Sequence, residues 1–233
     1  MKIMSLRTSN NDHTENDLMT ATKIKIAKTF KIGISPNAVV GSYNDWSTSF
    51  EEIIKQGIYN APIIALQEVL RRVPPESRLA TSVLDVGAGT GWLGTCLHKE
   101  GFRKIHALEP SEGMRRVLRE KGVYTKEFPE SLGTGPCSVP SNTYDVVISS
   151  GSFDEGHIPV TGLDELVRVA KKGGLVLIVV LMMKLKPTEP YTGKLEPHME
   201  ELEGKGVWIK VERRVFPNFI FEKEGVMFTF RVT

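Results

Sequence analysis

A run of glycines directly behind a short apolar strand is the part of this sequence best suited to hold a cofactor. Residues 83–91 read Val-Leu-Asp-Val-Gly-Ala-Gly-Thr-Gly, and a segment with helical character begins at residue 92. A buried strand, a glycine turn and a helix N-terminus in this order bind nucleotide cofactors in open α/β sheets. Three glycines in five residues cost backbone entropy, which favours a binding role over a turn without a ligand.

The acid inside the strand indicates which cofactor the turn holds. A dinucleotide would bring a pyrophosphate close to the Asp85 carboxylate, whereas S-adenosylmethionine (SAM) brings a sulfonium and an ammonium. Residues 89–94 formally match the dinucleotide pattern G-x-G-x-x-G, but counting from Gly87 puts Trp92 where the last glycine is needed. SAM is therefore the favoured cofactor, and its predicted contacts in the turn are Asp85, Gly87, Ala88, Gly89 and Gly91.

Glu109 is the candidate ligand for the ribose of that cofactor. It ends the second predicted strand and follows Gly87 at about the 20-residue spacing of an acid that binds ribose hydroxyls. Both SAM and NAD contain this ribose, so Glu109 indicates a nucleoside without choosing between them, and its charge disfavours NADP. Met114 in the next helix is a candidate contact for the adenine face, and Ser131 and Leu132 are candidates for its amino group.

The reactive end of the ligand is expected after the fourth predicted strand, in the stretch 149–157. Ser149 is the candidate cofactor contact at this position. Asp154 or His157 would act as a general base for an amine or hydroxyl acceptor. Loop polar groups that are satisfied by turns and water would give the same sequence, so both interpretations stay open.

Aromatic residues in the N-terminal part form a further group of candidates. Tyr43, Trp46 and Tyr59 could close over a sulfonium by cation–π contact, worth about 2 kcal/mol when desolvated. The Tyr43 hydroxyl is also a catalytic candidate. A helix packed on the sheet would use the same residues, and the sequence does not decide between these alternatives.

The elements that must position these residues alternate along the chain. Apolar strands are predicted at 82–86, 104–108, 124–128, 144–149 and 175–181, with helices at about 92–99, after Ser111 and at 163–171. A helix at about 191–205 and two strands near 208–215 and 226–232 follow, and the Gly and Asn residues between these two strands indicate a hairpin turn. Strands that are apolar throughout suit a parallel sheet buried on both faces. The predicted fold is α/β, a doubly wound, seven-stranded, mostly parallel sheet with an N-terminal helical cap.

Composition limits the classes of function. The chain has 233 residues and a formal net charge of +2, without a basic stripe interleaved with aromatics, so neither nucleic acid nor an anionic membrane is an expected partner. Cys96 and Cys137 have no metal-ligand spacing, and no metal is expected. The acidic start lacks the features of a secretory signal or presequence, and the apolar run 175–183 is too short to span a bilayer, so a cytoplasmic protein is expected. The oligomeric state is left open.

The domain organisation follows from the same composition. Residues 1–35 are predicted to be a disordered or partly ordered arm, residues 36–75 a helical cap, and residues 76–233 the SAM-binding domain. The Pro74-Pro75 pair separates the cap from the first strand of the sheet.

Several motifs in order resemble the class I SAM-dependent methyltransferases over residues 80–181. They are residues 83–91, Glu109-Pro110-Ser111 with Met114, Tyr144-Asp145-Val146-Val147 and Lys172-Gly173-Gly174-Leu175. A narrower resemblance, over about residues 38–210, is to the methyltransferase-like proteins of the Williams-Beuren syndrome region. It is carried by Tyr43-Asn44-Asp45-Trp46, Tyr59-Asn60-Ala61-Pro62, residues 151–159 and residues 191–208.

The resemblance implies a Rossmann-like fold, SAM binding and methyl transfer. It implies that Asp85 and the three turn glycines surround the methionine part of SAM, that Glu109 holds the ribose, and that Pro110 with Met114 flanks the adenine. Phe50-Glu51 stands where a related cap often has a second Tyr-Asp pair, so a contact from that hydroxyl is not expected here.

The predicted function is methyl transfer from SAM to a small-molecule acceptor. One alternative is a non-catalytic relative that binds SAM, or nothing, and acts through protein contacts. An NAD-linked oxidoreductase is disfavoured by Asp85 and by the position of Trp92. Methylation of a protein side chain is a further alternative, and the near-neutral charge and the small cap favour a compact acceptor over it.

Overall fold

One sheet of seven strands organises the computed structural model of the chain. The structure describes residue 20 and residues 23–55, 59–135, 137–186 and 192–233. In this part of the chain the strands are β1 (Ser82–Val86), β2 (Lys104–Leu108), β3 (Lys126–Phe128), β4 (Tyr144–Ser150), β5 (Ala170–Leu181), β6 (Trp208–Ile220) and β7 (Lys223–Val232). Their order across the sheet is β3-β2-β1-β4-β5-β7-β6.

The pairing within the sheet confirms the expected fold class. Strands β1 to β5 pair in parallel, and β7 is antiparallel to both β5 and β6. The sheet is therefore mostly parallel and doubly wound, and its final pair is a hairpin. The strand order reverses between β1 and β4, which is where open α/β sheets leave a crevice at the carboxyl ends of their strands.

Helices cover both faces of this sheet. In the described residues they are α1 (residues 23–29), α2 (Pro36–Trp46), α3 (Phe50–Lys55), α4 (Ala61–Arg72), α5 (Pro75–Arg78), α6 (Trp92–Lys99), α7 (Glu112–Glu120), α8 (Gly162–Val169) and α9 (Leu195–Gly204). None of the described helices has the length and apolar character needed to cross a bilayer.

The core lies on both sides of the sheet, because successive side chains of a strand point to opposite faces. Val83 of β1 packs in the cluster that includes Leu97 of α6, whereas its neighbour Leu84 packs with Leu166 of α8. All four of these side chains are fully or almost fully buried. Burial on both faces explains why the parallel strands are apolar throughout and do not alternate.

Side-chain caps set the start of the two helices that border the crevice. The Ser35 hydroxyl accepts from the backbone N–H of Ala38, and Pro36 occupies the first turn of α2, where its missing N–H costs nothing. At α7 the Ser111 hydroxyl accepts from the N–H of Met114 at 3.1 Å, as the sequence indicated.

Some element boundaries differ from the sequence-based prediction. The strand expected to end near residue 215 continues to Ile220, although it contains Pro217 and Asn218. This is possible because β6 is the edge strand of the sheet, where a missing N–H removes no ladder bond. Asn218 adopts a φ of 59° and the register shifts between Phe216 and Ile220, so the ladder is interrupted there and resumes.

The N-terminal arm and the domain boundaries stay predictions. Residues 1–19 and 21–22 lie outside the described residues, as does residue 191 of the predicted helix 191–205, and residues 23–29 are helical. In the predicted cap region α2, α3 and α4 are helical, while residues 56–58 lie outside the described part.

Candidate active site

A cavity of about 390 Å³ lies at the carboxyl ends of β1, β2 and β4. Its wall comes from segments that are far apart in the sequence. They include the glycine turn after β1, the residues after β2, the loop after β4, the N-terminal helices α1 and α2, and the tip of the β6–β7 hairpin. Residues from the start of α4, the loop after β3 and the end of β5 also line it. The cavity therefore forms only when the cap and the hairpin pack against the end of the sheet.

The glycine turn after β1 has the geometry that the sequence implied. Gly87, Gly89 and Gly91 have φ values of 71°, 57° and 80°, a region that side-chain-bearing residues rarely adopt. A Cβ on Gly87 would collide with the Ser152 side chain, so this glycine is also required by close packing. A Cβ on Gly89 would have no neighbour within 4 Å in the described part, so Gly89 presents bare backbone to the cavity.

Asp85 is a buried acid in the wall of this cavity. Its side chain is 2% exposed, and its Oδ2 accepts a hydrogen bond from the Tyr124 hydroxyl at 2.7 Å. Burial, assisted by the negative charge of Glu109, raises the pKa of Asp85 to about 7 although the Tyr124 hydrogen bond acts the other way. A cationic ligand in the cavity would favour the ionised form, so this position is suited to a positive group.

Glu109 is held in place by two backbone N–H groups. Its Oε2 accepts from Gly89 at 2.9 Å and its Oε1 accepts from Ser111 at 2.8 Å. Burial raises the pKa of Glu109 against these hydrogen bonds and the charge of Arg115. The side chain thus links the glycine turn to the start of α7, a positioning function that the sequence spacing did not reveal.

The cap is attached to the sheet domain through Asn44. The Asn44 Oδ1 accepts from the Ser111 hydroxyl at 2.8 Å and from the Gly113 N–H at 2.9 Å. Because the Ser111 N–H donates to Glu109 Oε1, Ser111 connects Asn44 of α2 to the candidate ribose ligand. The sequence indicated neither of these contacts.

Aromatic rings from the cap surround one end of the cavity. Tyr43 stacks on Trp46 with ring centroids 5.8 Å apart, and Phe50 meets Trp46 edge to face at 5.2 Å. Phe30 stacks on His157 at 4.7 Å and 15°. The predicted aromatic group is thus brought together at the cavity, and Phe30, which the sequence analysis did not single out, belongs to it.

Tyr43 and His157 are the two catalytic candidates that the structure brings into contact. The Tyr43 Oη lies 3.1 Å from His157 Nε2, and His157 Nδ1 lies 2.9 Å from the backbone oxygen of Glu155. A carbonyl oxygen only accepts, so Nδ1 carries the proton and the neutral ring accepts from the Tyr43 hydroxyl at Nε2. Burial lowers the pKa of His157, which keeps the ring neutral near pH 7.

Asp154, the third catalytic candidate, is committed to other partners. It is 8% exposed, and its Oδ1 accepts from the Glu155 N–H at 2.8 Å and forms an ion pair with Lys184 at 3.3 Å. The carboxylate lines the cavity, and its negative charge acts to raise the pKa of His157. Because its Oδ1 is already paired, Asp154 is better suited to stabilise a protonated His157 than to act as a general base itself.

The remaining candidates fall into two groups. Ser131, Leu132, Pro110 and Met114 all line the cavity, whereas Ser149 is fully buried and lies outside its lining. Ser150 and Ser152 line the cavity instead, because successive side chains of a strand point to opposite faces of the sheet. Thr90, Lys184 and the hairpin tip with Phe219 and Phe221 also line the cavity and were not predicted from the sequence. The apolar residues at the predicted turn were the available signal for the tip.

Comparison with known proteins decides which family this site belongs to. Residues 84–178 match the family model described as a methyltransferase domain. Human methyltransferase-like protein 27 is 30% identical over 168 residues, which cover 71% of this chain and 66% of the human protein. The chain contains a methyltransferase domain of the class I SAM-dependent type. Its cofactor is SAM, and the family resemblance drawn from the motifs is confirmed.

Solved structures agree with the methyltransferase fold. A Haloferax volcanii protein solved in complex with the Trm112 methyltransferase activator has a TM-score of 0.58 at 15% identity, over 82% of this chain and 95% of that chain. The 1,6-didemethyltoxoflavin-N1-methyltransferase of Burkholderia thailandensis, solved with 1,6-didemethyltoxoflavin and S-adenosylhomocysteine, has a TM-score of 0.57 at 16% identity, over 85% and 87% of the two chains. The match to the human relative spans slightly less than two thirds of that protein.

Buried polar atoms in the wall of this methyltransferase cavity fit a bound cofactor. The Thr90 hydroxyl, the Trp46 indole N–H and the Ser150 hydroxyl are buried and have no hydrogen-bond partner among the described residues. All three residues line the cavity. Buried polar groups are normally paired, so these atoms indicate hydrogen bonds to a ligand or to water bound there.

The close approach of the cap to α7 gives a testable prediction for the methyltransferase. A Cβ on Gly113 would lie 2.8 Å from the Asn44 Cα, a backbone atom that can move only with α2. Gly113→Ala is expected to displace α2, to lower stability by about 1–3 kcal/mol and to weaken SAM binding about tenfold. Calorimetric titration and urea unfolding measure the two effects.

The control for that variant lies in the same cap. Gly41 is inside α2, has an ordinary helical φ, and a Cβ there meets nothing within 4 Å in the described part of the chain. Gly41→Ala is expected to preserve SAM affinity and to stabilise α2 by up to about 1 kcal/mol. Equal SAM affinities in the two variants would show that cap docking does not support the cofactor site.

Proposed function

We propose that this chain transfers the methyl group of SAM to a small organic acceptor carrying an N–H or O–H. The observation that carries the proposal is the cavity that the buried acids Asp85 and Glu109 line at the glycine turn and that the Tyr43–His157 pair also lines. The acids suit the cationic and ribose groups of SAM, and the pair suits removal of a proton.

The chain's residues would hold SAM as follows. Asp85 and the backbone of Gly87 and Gly89 would receive the methionine part, and Glu109 would accept from the ribose hydroxyls with the lone pairs that its backbone partners leave free. The adenine contacts would come from Pro110, Met114, Ser131 and Leu132. Bound SAM supplies a methyl group that its sulfonium activates.

The chain itself would contribute alignment, exclusion of water and a route for one proton. Aromatic and aliphatic side chains form most of the wall beyond the glycine turn, so water is displaced when ligands enter. Holding two reactants in position can supply up to about 7–11 kcal/mol of a barrier. The Tyr43 hydroxyl would take up the acceptor's proton while passing its own to His157 Nε2.

The electrostatics around this pair support that route. Burial, followed by the charges of Tyr59, Glu109 and Asp154, raises the pKa of Tyr43 well above its usual value, so the hydroxyl stays protonated and passes a proton only in concert. The groups facing His157 are the Glu155 carbonyl, the Asp154 carboxylate and the Lys184 ammonium. Asp154 favours the imidazolium that forms, and Lys184 opposes it.

A His157→Gln variant tests this route. Gln keeps a hydrogen-bond acceptor for Tyr43 but takes up no proton, so methyl transfer is expected to fall about 100-fold or more with SAM affinity within about twofold of wild type. The wild-type rate is expected to fall only below pH 6.5, because the pKa of His157 is lowered from that value. Rates are measured as S-adenosylhomocysteine release from pH 5 to 9, and an unchanged rate in the variant would exclude the route.

A small acceptor and a cytoplasmic location are parts of the same proposal. The cap and the hairpin tip cover the cavity, which leaves room for a small molecule better than for a folded partner. A protein side chain on an extended segment is the alternative acceptor. Both cysteines, Cys96 and Cys137, are free thiols, which is typical of a reducing compartment.

The first experiment is calorimetric titration of the purified protein with SAM, S-adenosylhomocysteine and NAD. The expected result is micromolar binding of the first two, with a binding free energy of about −8 kcal/mol, and no response to NAD. A screen of small amines, phenols and peptides for S-adenosylhomocysteine release follows. Binding of SAM without turnover by any acceptor, together with a tight protein partner, would instead support a non-catalytic relative.

A further inference from the structure

The tip of the β6–β7 hairpin has an unfavourable backbone. Ile220 pairs with Lys223, so the loop consists of two residues, Phe221 and Glu222, with φ values of 46° and 62°. Two consecutive positive φ values define a type I′ turn, which favours Asn-Gly and is costly for a bulky aromatic residue. The turn alone would be more stable with glycine at either position.

The strained residue lies at the cavity. Phe219, Ile220 and Phe221 line it, whereas Glu222 is outside its lining. The tip is anchored over the end of β4 by several contacts. Asn60 N–H donates to the Phe219 oxygen at 3.0 Å, and Tyr59 meets Phe219 edge to face at 5.4 Å while its hydroxyl donates to the Ser150 oxygen at 3.1 Å. A strained residue that persists at a ligand cavity points to a function for its side chain.

Aromatic rings from the N-terminal helical region line the same cavity as the hairpin tip. We use "acceptor chamber" for the part of the cavity lined by Phe30, Tyr43, Phe219 and Phe221. Tyr43 Oη and the Ser150 hydroxyl, which has no hydrogen-bond partner among the described residues, are polar groups in the cavity wall. The Lys23 ammonium lies 5.8 Å from the centre of the Phe221 ring. Rings in the wall interact best with another flat ring, by stacking or edge-to-face contact.

We infer that Phe221 determines acceptor specificity and that the acceptor chamber selects a planar aromatic or heteroaromatic molecule. The inference rests on the proposed function, because it names the class of acceptor used at the same site. The ring of Phe221 contacts the acceptor, and the turn that presents it is less stable than a glycine turn. Stability and binding should therefore respond in opposite directions to removal of the ring.

Two glycine variants separate the turn from the ring. Phe221→Gly and Glu222→Gly both relax a positive-φ residue, but only the first removes a side chain from the cavity. In both, the melting temperature is expected to stay level or to rise by about 2–4 °C. A ring whose function is to stabilise the fold would instead lower the melting temperature of Phe221→Gly alone.

Binding is measured with the neutral naphthalene dye prodan, with the cofactor part of the cavity filled by S-adenosylhomocysteine. The dye is expected to bind wild type and Glu222→Gly equally and Phe221→Gly at least tenfold more weakly. Naphthol should displace the dye at least tenfold better than its saturated analogue decalinol, which has the same skeleton without a flat ring.

Three outcomes would overturn the inference: no dye binding to the wild type, equal binding by Phe221→Gly, or equal displacement by naphthol and decalinol. Failure of the proposed function has different signatures, namely no response to S-adenosylhomocysteine in calorimetry, or cofactor binding without turnover of any acceptor. The dye titrations of the ligand-free protein would still report on the acceptor chamber in that case.

Discussion

Replacing Asp85 with Asn is expected to stabilise the ligand-free protein increasingly as the pH rises, by up to about 4 kcal/mol at pH 8. The reason is the burial of Asp85, which raises its pKa from 3.8 to about 7 in the folded protein. The neutral carboxyl is tolerated below pH 4 in both states. Between pH 4 and 7 the unfolded chain ionises and the folded protein does not, so stability is lost as the pH rises through the folded pKa.

Urea unfolding of wild type and variant at pH 5, 6, 7 and 8 measures this effect as a growing difference in the free energy of unfolding. Asp145→Asn is a matched control with the opposite sign. Burial raises the pKa of Asp145, but hydrogen bonds from Lys171 and Ser82 outweigh it and lower the pKa overall. The free energy of unfolding of the wild type, relative to that of Asp145→Asn, should therefore increase as the pH rises through the acid range. If the difference in the free energy of unfolding between wild type and Asp85→Asn did not change with pH, Asp85 would not be a buried acid with a raised pKa.

The same titration is coupled to cofactor binding. A cationic ligand favours the ionised form of Asp85, so SAM binding below pH 7 should release a proton and strengthen with pH, by up to about tenfold per unit. Asp85→Asn should bind SAM more weakly at pH 8 and show no such pH dependence. Titrations in two buffers with different ionisation enthalpies detect the released proton, and an equal pH slope in the variant would exclude this coupling.

Replacing Glu109 with Gln is expected to lower SAM affinity about 10- to 100-fold. A hydrogen bond to a charged acceptor is worth about 1.5–3 kcal/mol, and the ribose would lose its charged partner. The variant should also lose about 1–3 kcal/mol of stability, because a side-chain amide accepts from only one of the two N–H groups of Gly89 and Ser111. Calorimetry and urea unfolding measure the two losses separately.

Glu120→Gln is the control for this substitution. Glu120 ends α7, is exposed and is not part of the cavity lining, so both SAM affinity and stability should match wild type. Loss of stability in Glu109→Gln with unchanged SAM affinity would show that Glu109 only ties the glycine turn to α7. In that case the ribose would have to be held by other groups.

The sheet and the cofactor end of the cavity were predictable because their signals are local. The apolar run 83–86 predicts a buried strand wherever it lies in the chain, and the glycines after it predict the positive φ values that are observed. Glu109 was found by its spacing from Gly87, since a strand–helix–strand unit has a nearly constant length. These features depend on backbone propensities over fewer than about 30 residues.

The acceptor end was not predictable in the same way. Tyr43 and His157 are 114 residues apart in the sequence, and their contact depends on how the N-terminal helices pack, where Asn44 joins α2 to α7 and Phe30 stacks on His157. The β6–β7 tip was expected to be a hairpin, and its apolar residues were a signal of burial, but they did not indicate that the turn reaches the cavity. Ser149 was expected to face the ligand, but Ser150 and Ser152 line the cavity instead, because neighbouring residues of a strand point to opposite faces.

By itself, the sequence determined the α/β class, the parallel order of the first strands and the chemistry of the glycine turn, because each follows from residue types and short spacings. The tertiary structure alone decided that Asp85 is buried enough to titrate near pH 7, that Glu109 is held by two backbone N–H groups, and that Phe221 lines the cavity. Burial and long-range contact depend on how distant segments pack together, and no local pattern of residues encodes that packing.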